Sequence, residues 1–243
     1  MGQVTSPTLC RPTCVPTLVQ CSLHSRCCLV AHARYPVTIP IQSQSNRCVS
    51  KLLLYELGVY PTAKGVPAAL VMSTTCGMLQ LAAQALDSYS LGEVLAQVNE
   101  TLLARITHNL FVTCFYAILD PKRATLRYAN AGHDLPYLHR SNGNAEELKA
   151  RGMPLGLMPG MGYEEKEIVL EAGEVSLLYS DGLLVAHDPQ REMFGFPRLQ
   201  ALVAELGEER SLGDSLLEEH YTFVGEEWEQ EDDITLLTLR RSA

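Results

Sequence analysis

The order of elements in this sequence predicts an α+β fold, with layers of mainly antiparallel sheet flanked by helices. Three observations lead there. Helical patterns gather at 64–106 and again at 196–228; between and after them lie short runs rich in aromatic and β-branched residues joined by turn signals; and the composition changes abruptly near residue 56. Helices grouped early and late around hairpin-linked strands build an α+β protein, whereas regular strand-helix alternation would build a parallel sheet.

The compositional break comes first along the chain. No aspartate or glutamate precedes Glu56, and all 28 acidic residues lie from there onward. Six of the eight cysteines (Cys10, Cys14, Cys21, Cys27, Cys28 and Cys48) fall before residue 50, where Pro7, Pro12, Pro16, Pro36 and Pro40 interrupt any regular element. The expectation is therefore an irregular, Cys- and Pro-rich segment over 1–58, disordered by composition, followed by a folded domain over 59–243. The runs 28–31 and 37–41 are apolar enough to be short strands. Cys10, Cys14, Cys21, His24, Cys27 and Cys28 offer soft ligands for a metal knuckle, but their spacing matches no paired Cys-x-x-Cys pattern, and a poorly ordered tail is the plainer reading.

From Lys64 the pattern becomes regular. An apolar, alanine-rich stretch over 64–86 predicts a core helix. Ser90 and Glu93, three apart, form a capping box for a second helix with Val94, Leu95, Val98, Leu102 and Leu103 on one face. The run 111–119, the turn Asp120-Pro121-Lys122 and the run 124–129 make a hairpin. Further strands are expected at 137–140, 165–170, 175–179 and 234–239, with helices at 196–206 and 212–228. No internal repeat is visible.

With 47% hydrophobic and 19% charged residues and a formal charge of −9, the 243-residue chain has an ordinary globular composition and no basic footprint. That argues against nucleic acid and against an anionic membrane surface as partners. No apolar run approaches the ~18 residues of a membrane span and the start lacks a signal-peptide pattern, so a cytoplasmic protein is expected. Cys76 and Cys114 sit singly in apolar surroundings, as buried free thiols do.

Two acidic sites adjoin strands. Tyr179-Ser180-Asp181-Gly182 puts a carboxylate directly after one, with Gly182 available for a tight turn; Glu231-Asp232-Asp233-Ile234 puts carboxylates directly before another. If the two strands are antiparallel neighbours, those ends meet, and converging carboxylates suit hard divalent cations such as Mg2+ or Mn2+. Ordinary turn chemistry explains each sequence equally well when taken alone.

Other motifs accompany them. Lys64-Gly65-Val66-Pro67-Ala68-Ala69, Asn130-Ala131-Gly132-His133, Gly152-Met153-Pro154-Leu155-Gly156, Tyr179-Ser180-Asp181-Gly182-Leu183, Glu192-Met193-Phe194-Gly195-Phe196 and Asp232-Asp233-Ile234-Thr235-Leu236-Leu237 occur in the order and spacing of the SpoIIE and RsbU-like branch of the PPM phosphatases, which the chain resembles. The resemblance implies a β-sandwich flanked by helices, with a cluster of two Mn2+ or Mg2+ ions held by aspartates at one end. Asp181 matches the aspartate of the Ser-Asp-Gly motif and Asp232 that of the terminal Asp-Asp or Asp-Asn motif, making these the candidate catalytic and metal-binding residues. The implied chemistry is hydrolysis of phosphoserine or phosphothreonine by a metal-activated water, without a covalent intermediate. By this resemblance the partner is a phosphorylated anti-sigma-factor antagonist, in bacterial signal transduction. A homodimer through the helices at 64–86 and 90–106 is left open. For His133, a role in shaping the Asn-Ala-Gly-His turn is weighed against a role as general acid or phosphate contact.

The chain departs from the family pattern upstream. The Gly-Gly-Asp-Phe-Tyr-Asp type motif is absent, and aligning the Gly-Asp-Val-x-Gly-Lys-Gly type motif on Lys64-Gly65 puts Tyr60 at the aspartate position. The first strands of the sandwich are thus expected to be missing, leaving open edges unless residues 1–60 fill them. Three readings follow: a metal-dependent phosphatase, a phosphatase-like binding module without turnover, or a truncated product.

Overall fold

The computed structural model of the chain describes residues 26–30, 37–41, 51–60, 66–83, 90–106, 110–205, 211–225, 232 and 234–241. The cysteine and histidine positions proposed for a metal knuckle lie outside these residues, except Cys27 and Cys28, which fall in a strand.

Ten strands and four α-helices follow one another as β1 (Arg26–Val30), β2 (Val37–Ile41), β3 (Lys51–Tyr60), α1 (Val66–Ala83), α2 (Leu91–Leu103), β4 (Phe111–Asp120), β5 (Thr125–Ala131), β6 (Tyr137–His139), β7 (Ala145–Glu147), β8 (Glu165–Val169), β9 (Val175–Tyr179), α3 (Gly195–Ala204), α4 (Leu212–Val224) and β10 (Leu236–Arg241) among the described residues. One sheet has the order β1-β3-β4-β5-β8 and the other β2-β10-β9-β6-β7. All pairings are antiparallel except β1 with β3 and β2 with β10.

Period-2 alternation explains how the sheets stack. In the first sheet Phe115, Ala117, Leu119, Leu126 and Tyr128 share one face and pack against Leu138, Leu178, Leu237 and Leu239 of the second, forming the middle of the sandwich. The intervening residues Cys114, Tyr116, Ile118, Ala129 and Ala131 face the other way, onto Leu79 of α1 and Leu91, Val94, Leu95, Val98 and Leu102 of α2. On the outside of the second sheet, Tyr137, Val175, Leu177, Tyr179 and Leu236 meet Leu199 and Val203 of α3 and Leu212 and Leu216 of α4. The result is helix, sheet, sheet, helix, the layered α+β arrangement the element order predicts.

Local chemistry sets several boundaries. The Ser90 hydroxyl accepts the Glu93 N–H at 3.2 Å, and the Glu93 carboxylate accepts the Ser90 N–H at 2.7 Å, so the predicted capping box starts α2. Glu165 of β8 accepts the Leu91 N–H and pairs with Arg127 of β5, which fastens the positive end of α2 to the first sheet. In the hairpin between β4 and β5, Asp120 Oδ1 accepts the N–H groups of Lys122 and Arg123.

Some expectations shift. The helix expected to reach residue 228 ends at Val224, where Gly225 takes φ 81°. The last strand begins at Leu236, two residues later than expected, because Ile234 and Thr235 lie before the ladder. The short strand β7 was not anticipated. The expected shortage of first strands is met by residues 26–60: β3 pairs along its length with β4, β1 lies beside β3, and β2 covers β10. The expected boundary at 58/59 falls within β3. No helix among the described residues is long and apolar enough to cross a membrane.

Candidate functional site

Strands β9 and β10 are antiparallel neighbours, with Leu236 opposite Tyr179. Just beyond that pair the Ser180 N–H donates to the Thr235 carbonyl at 3.1 Å, and the Thr235 N–H donates to the Ser180 hydroxyl at 2.8 Å. This clasp carries the register one pair past the ladder; Asp181 directly follows Ser180, and Asp232 precedes Thr235 by three residues. The two carboxylates singled out in the sequence therefore stand at one end of one sheet. Asp181 is half-buried and Asp232 exposed.

The chain after Asp181 turns without help from a left-handed glycine. Residues Asp181–Leu183 form a 3-10 turn in which the Leu184 and Val185 N–H groups donate to the Asp181 carbonyl at 2.8 and 3.0 Å. Gly182 is absent from the positive-φ residues, so its role there is compactness: it is buried. The tight turn expected at Gly182 is present, closed by these backbone bonds.

A second structure reaches the same end. The connection from β5 to β6 passes from one sheet to the other, and the Tyr179 hydroxyl donates to the Leu135 carbonyl within it at 3.1 Å. At its start the Asn130 side chain closes a loop on itself, its Oδ1 accepting the His133 N–H at 2.7 Å and its Nδ2 donating to the His133 carbonyl at 2.9 Å. Gly132 takes φ +68°, and a Cβ there would meet Pro154 at 2.7 Å, so glycine is required twice over. The turn-shaping reading of Asn-Ala-Gly-His is what these contacts support. The His133 ring lies 3.0 Å from the Thr113 hydroxyl through Nδ1. Tyr60 ends β3 opposite Phe111, which starts β4, and so belongs to the same end of the sandwich.

A divalent ion of the Mn2+ or Mg2+ kind takes oxygen ligands, about six of them. Asp181 and Asp232 fit that chemistry as two donors of a single ion completed by water. Among the described residues no group of three or more His, Cys, Asp or Glu side chains comes together to hold a metal. Asp233 and Lys64-Gly65 lie outside the described residues. The buried carboxylate of Glu174 is at the opposite end of β9, where it accepts the Glu171 N–H at 2.8 Å and pairs with Arg140 at 3.2 Å; its work is closing a turn.

Beside the carboxylate end is a cleft of about 580 Å³, lined by Asn130, His133, Leu135, Arg151 and Met153 with Gly132, Gly152, Gly162 and Ala150. Its floor forms where two segments touch too closely for a side chain, since a Cβ on Gly152 would stand 2.1 Å from the Asn130 carbonyl oxygen. The loop that runs from Met153 to Gly162, both of which line the cleft, is held between them by α2. Asn99, fully buried, accepts the Gly156 N–H and donates to the Met158 carbonyl, each at 2.9 Å, while Glu100 accepts the Gly160 N–H at 2.7 Å. Neither the cleft nor this anchor was read from the sequence. The available signal was Asn99 itself, a polar residue beside Val98 on the apolar face of a helix.

The family model described as Stage II sporulation protein E (SpoIIE) matches residues 62–242. Phosphoserine phosphatase RsbU of Bacillus subtilis is 30% identical over 190 residues, covering 73% of this chain and 52% of that protein. The chain thus spans about half the length of this curated relative. Among solved structures, the RsbU and RsbW domains of Rv1364c from Mycobacterium tuberculosis align with a TM-score of 0.63 and 26% identity, over 80% of this chain and 52% of the other. The SiaA-PP2C domain of Pseudomonas aeruginosa aligns with a TM-score of 0.64 and 21% identity, over 79% and 80% respectively, a likeness of fold.

Proposed function

Because the chain belongs to the SpoIIE family of PPM-type serine/threonine phosphatases, we propose that it removes phosphate from a phosphoserine or phosphothreonine of a regulatory protein, of the anti-sigma-factor antagonist type that its sequence motifs imply by resemblance. The observation that carries this reading is the clasp between Ser180 and Thr235, which brings Asp181 and Asp232 to one end of the sandwich.

Asp181 and Asp232 would hold a Mn2+ or Mg2+ ion, which when bound supplies a water of lowered pKa and offsets charge on phosphoryl oxygens. The chain's own residues do the positioning. Ser180 and Thr235 fix the distance between the two strand ends, and Tyr179 ties the neighbouring sheet connection to the same place through Leu135. Asp181 starts its 3-10 turn with its backbone carbonyl already engaged, which fixes the backbone from which its carboxylate projects. The test is Mn2+-dependent hydrolysis of a generic aryl phosphate by the full chain, with Asp181→Asn as control. Turnover that needs Mn2+ and drops in the variant to the metal-free level supports the reading; equal rates in the two proteins sink it.

One observation favours a second reading. Tyr60, aligned with an upstream metal-binding aspartate of the family, ends β3 at this same end of the sandwich, and the described residues gather no third ligand. A domain so depleted of negative charge would recognise a phosphoprotein without hydrolysing its phosphate. Retention of a phosphorylated antagonist by the immobilised chain, with no Mn2+-dependent turnover, would favour this second reading over the first.

A further inference from the structure

The cleft beside the carboxylate end has a chemical character unlike the rest of the molecule. The chain carries a net charge of −9, yet among the described residues that line the cleft there is no carboxylate, and Arg151 is the one that carries a full charge. The Arg151 side chain is 93% exposed, and its ion pair with Glu164 is loose at 3.6 Å, a surface pair that holds the guanidinium weakly. The same Glu164 Oε2 accepts the Arg151 backbone N–H at 2.9 Å, so the closer of its two contacts with Arg151 is to the backbone. Met153 on the rim is exposed, and further along the same loop so are Leu157 and Met158. A basic group and flexible apolar side chains thus stand together over a glycine-walled floor.

The cleft is also fixed in place relative to Asp181. Leu135 lines it, and the Leu135 carbonyl is held by Tyr179, two residues before Asp181. Leu135 of the β5 to β6 connection thus links the cleft to the strand end that carries Asp181. The loop between the lining residues Met153 and Gly162 is anchored on α2 by Asn99 and Glu100.

We propose that this cleft receives the segment flanking the phosphorylated residue of the protein substrate, selecting an acidic, apolar-containing stretch through Arg151 and Met153. This rests on the reading of the chain as a domain that recognises phosphoproteins, whether or not it hydrolyses them. Arg151 meets an acidic side chain of the segment, and Met153 covers an apolar one. The inference makes the cleft a specificity element that acts on peptide sequence and leaves the phosphate to the carboxylate end.

The test uses the full chain and two fluorescein-labelled phosphoserine peptides, identical except that one carries aspartates and the other lysines beside the phosphoserine. Fluorescence anisotropy with Mn2+ present reads binding. Wild type should prefer the aspartate peptide by at least tenfold; Arg151→Ala should erase that preference, and Arg151→Glu should reverse it. Thermal melts of both variants, with the exposed side chain changed and the backbone bond to Glu164 kept, separate loss of selectivity from loss of fold. Equal binding of both peptides by wild type, binding of neither, or a preference unchanged in Arg151→Ala overturns the proposal. Mn2+-dependent turnover of an aryl phosphate by wild type, measured separately, reports on hydrolysis alone, so its failure leaves the peptide result to stand or fall independently.

Discussion

Ser180 does at one position what a longer ladder would otherwise have to do. Its backbone and its hydroxyl both bond to Thr235, so the β9 and β10 ends stay in register where the strands have already stopped. Replacing the hydroxyl leaves the Thr235 N–H without that acceptor in a largely buried place. We expect Ser180→Ala to cost about 1 kcal/mol, read as a lower denaturant midpoint, and also to weaken Mn2+ binding although it supplies no ligand. A stability loss with unchanged Mn2+ affinity would show that the clasp is structural only. This bond was hidden from sequence reasoning, because a serine before Asp-Gly reads as turn chemistry. The aspartates were visible because each abuts an apolar run; the tie between their strands depends on residues 55 apart.

At the scale of elements, what could be read was what local rules decide. The capping box placed the start of α2 correctly, since Ser90 and Glu93 satisfy one another within a single turn. Strand β7 was missed because three residues show no period, and it exists only through pairing with β6. The anchoring of the cleft loop on α2 is long-range as well. Asn99→Ala should leave the Gly156 N–H and the Met158 carbonyl unpaired beside the helix, costing roughly 2–3 kcal/mol. Hydrogen exchange should then quicken at Gly156 more than in β4, whereas uniform quickening would mean that the whole sheet loosens. Helix α4 carries a different liability. His220 is fully buried with its ring 5.5 Å from that of Phe194, and burial lowers its pKa from 6.5 to about 4. The unfolded chain therefore takes up the proton first. Stability from this residue is complete above pH 6.5 and declines as pH falls toward 4, by about 3 kcal/mol. Urea midpoints measured across that range should drop for wild type, and less so for His220→Leu; parallel curves would assign the acid lability to other groups.

The described residues form a four-layer sandwich, and strands from both sheets meet at the end that carries the candidate site. Its layering was legible, because period-2 strands and apolar helix faces each demand a partner. Its first strands were legible in part: the apolar runs 28–31 and 37–41 overlap β1 and β2, whereas β3 was not read. Proline and cysteine over 1–58 argue locally against structure, yet β1 and β2 pair in parallel with β3 and β10, and such pairing is decided by the rest of the sheet. The same region explains what separates this chain from its family pattern: Tyr60 closes β3 at the end where Asp181 and Asp232 stand. The proposed function stands on Asp181 and Asp232 making a cation site together. It is tested by calorimetric titration of Mn2+ into the full chain, with Asp181→Asn and Asp232→Asn alongside. Wild type should bind Mn2+ and both variants should lose that binding. Absence of binding by wild type, or binding that either variant retains in full, would contradict it.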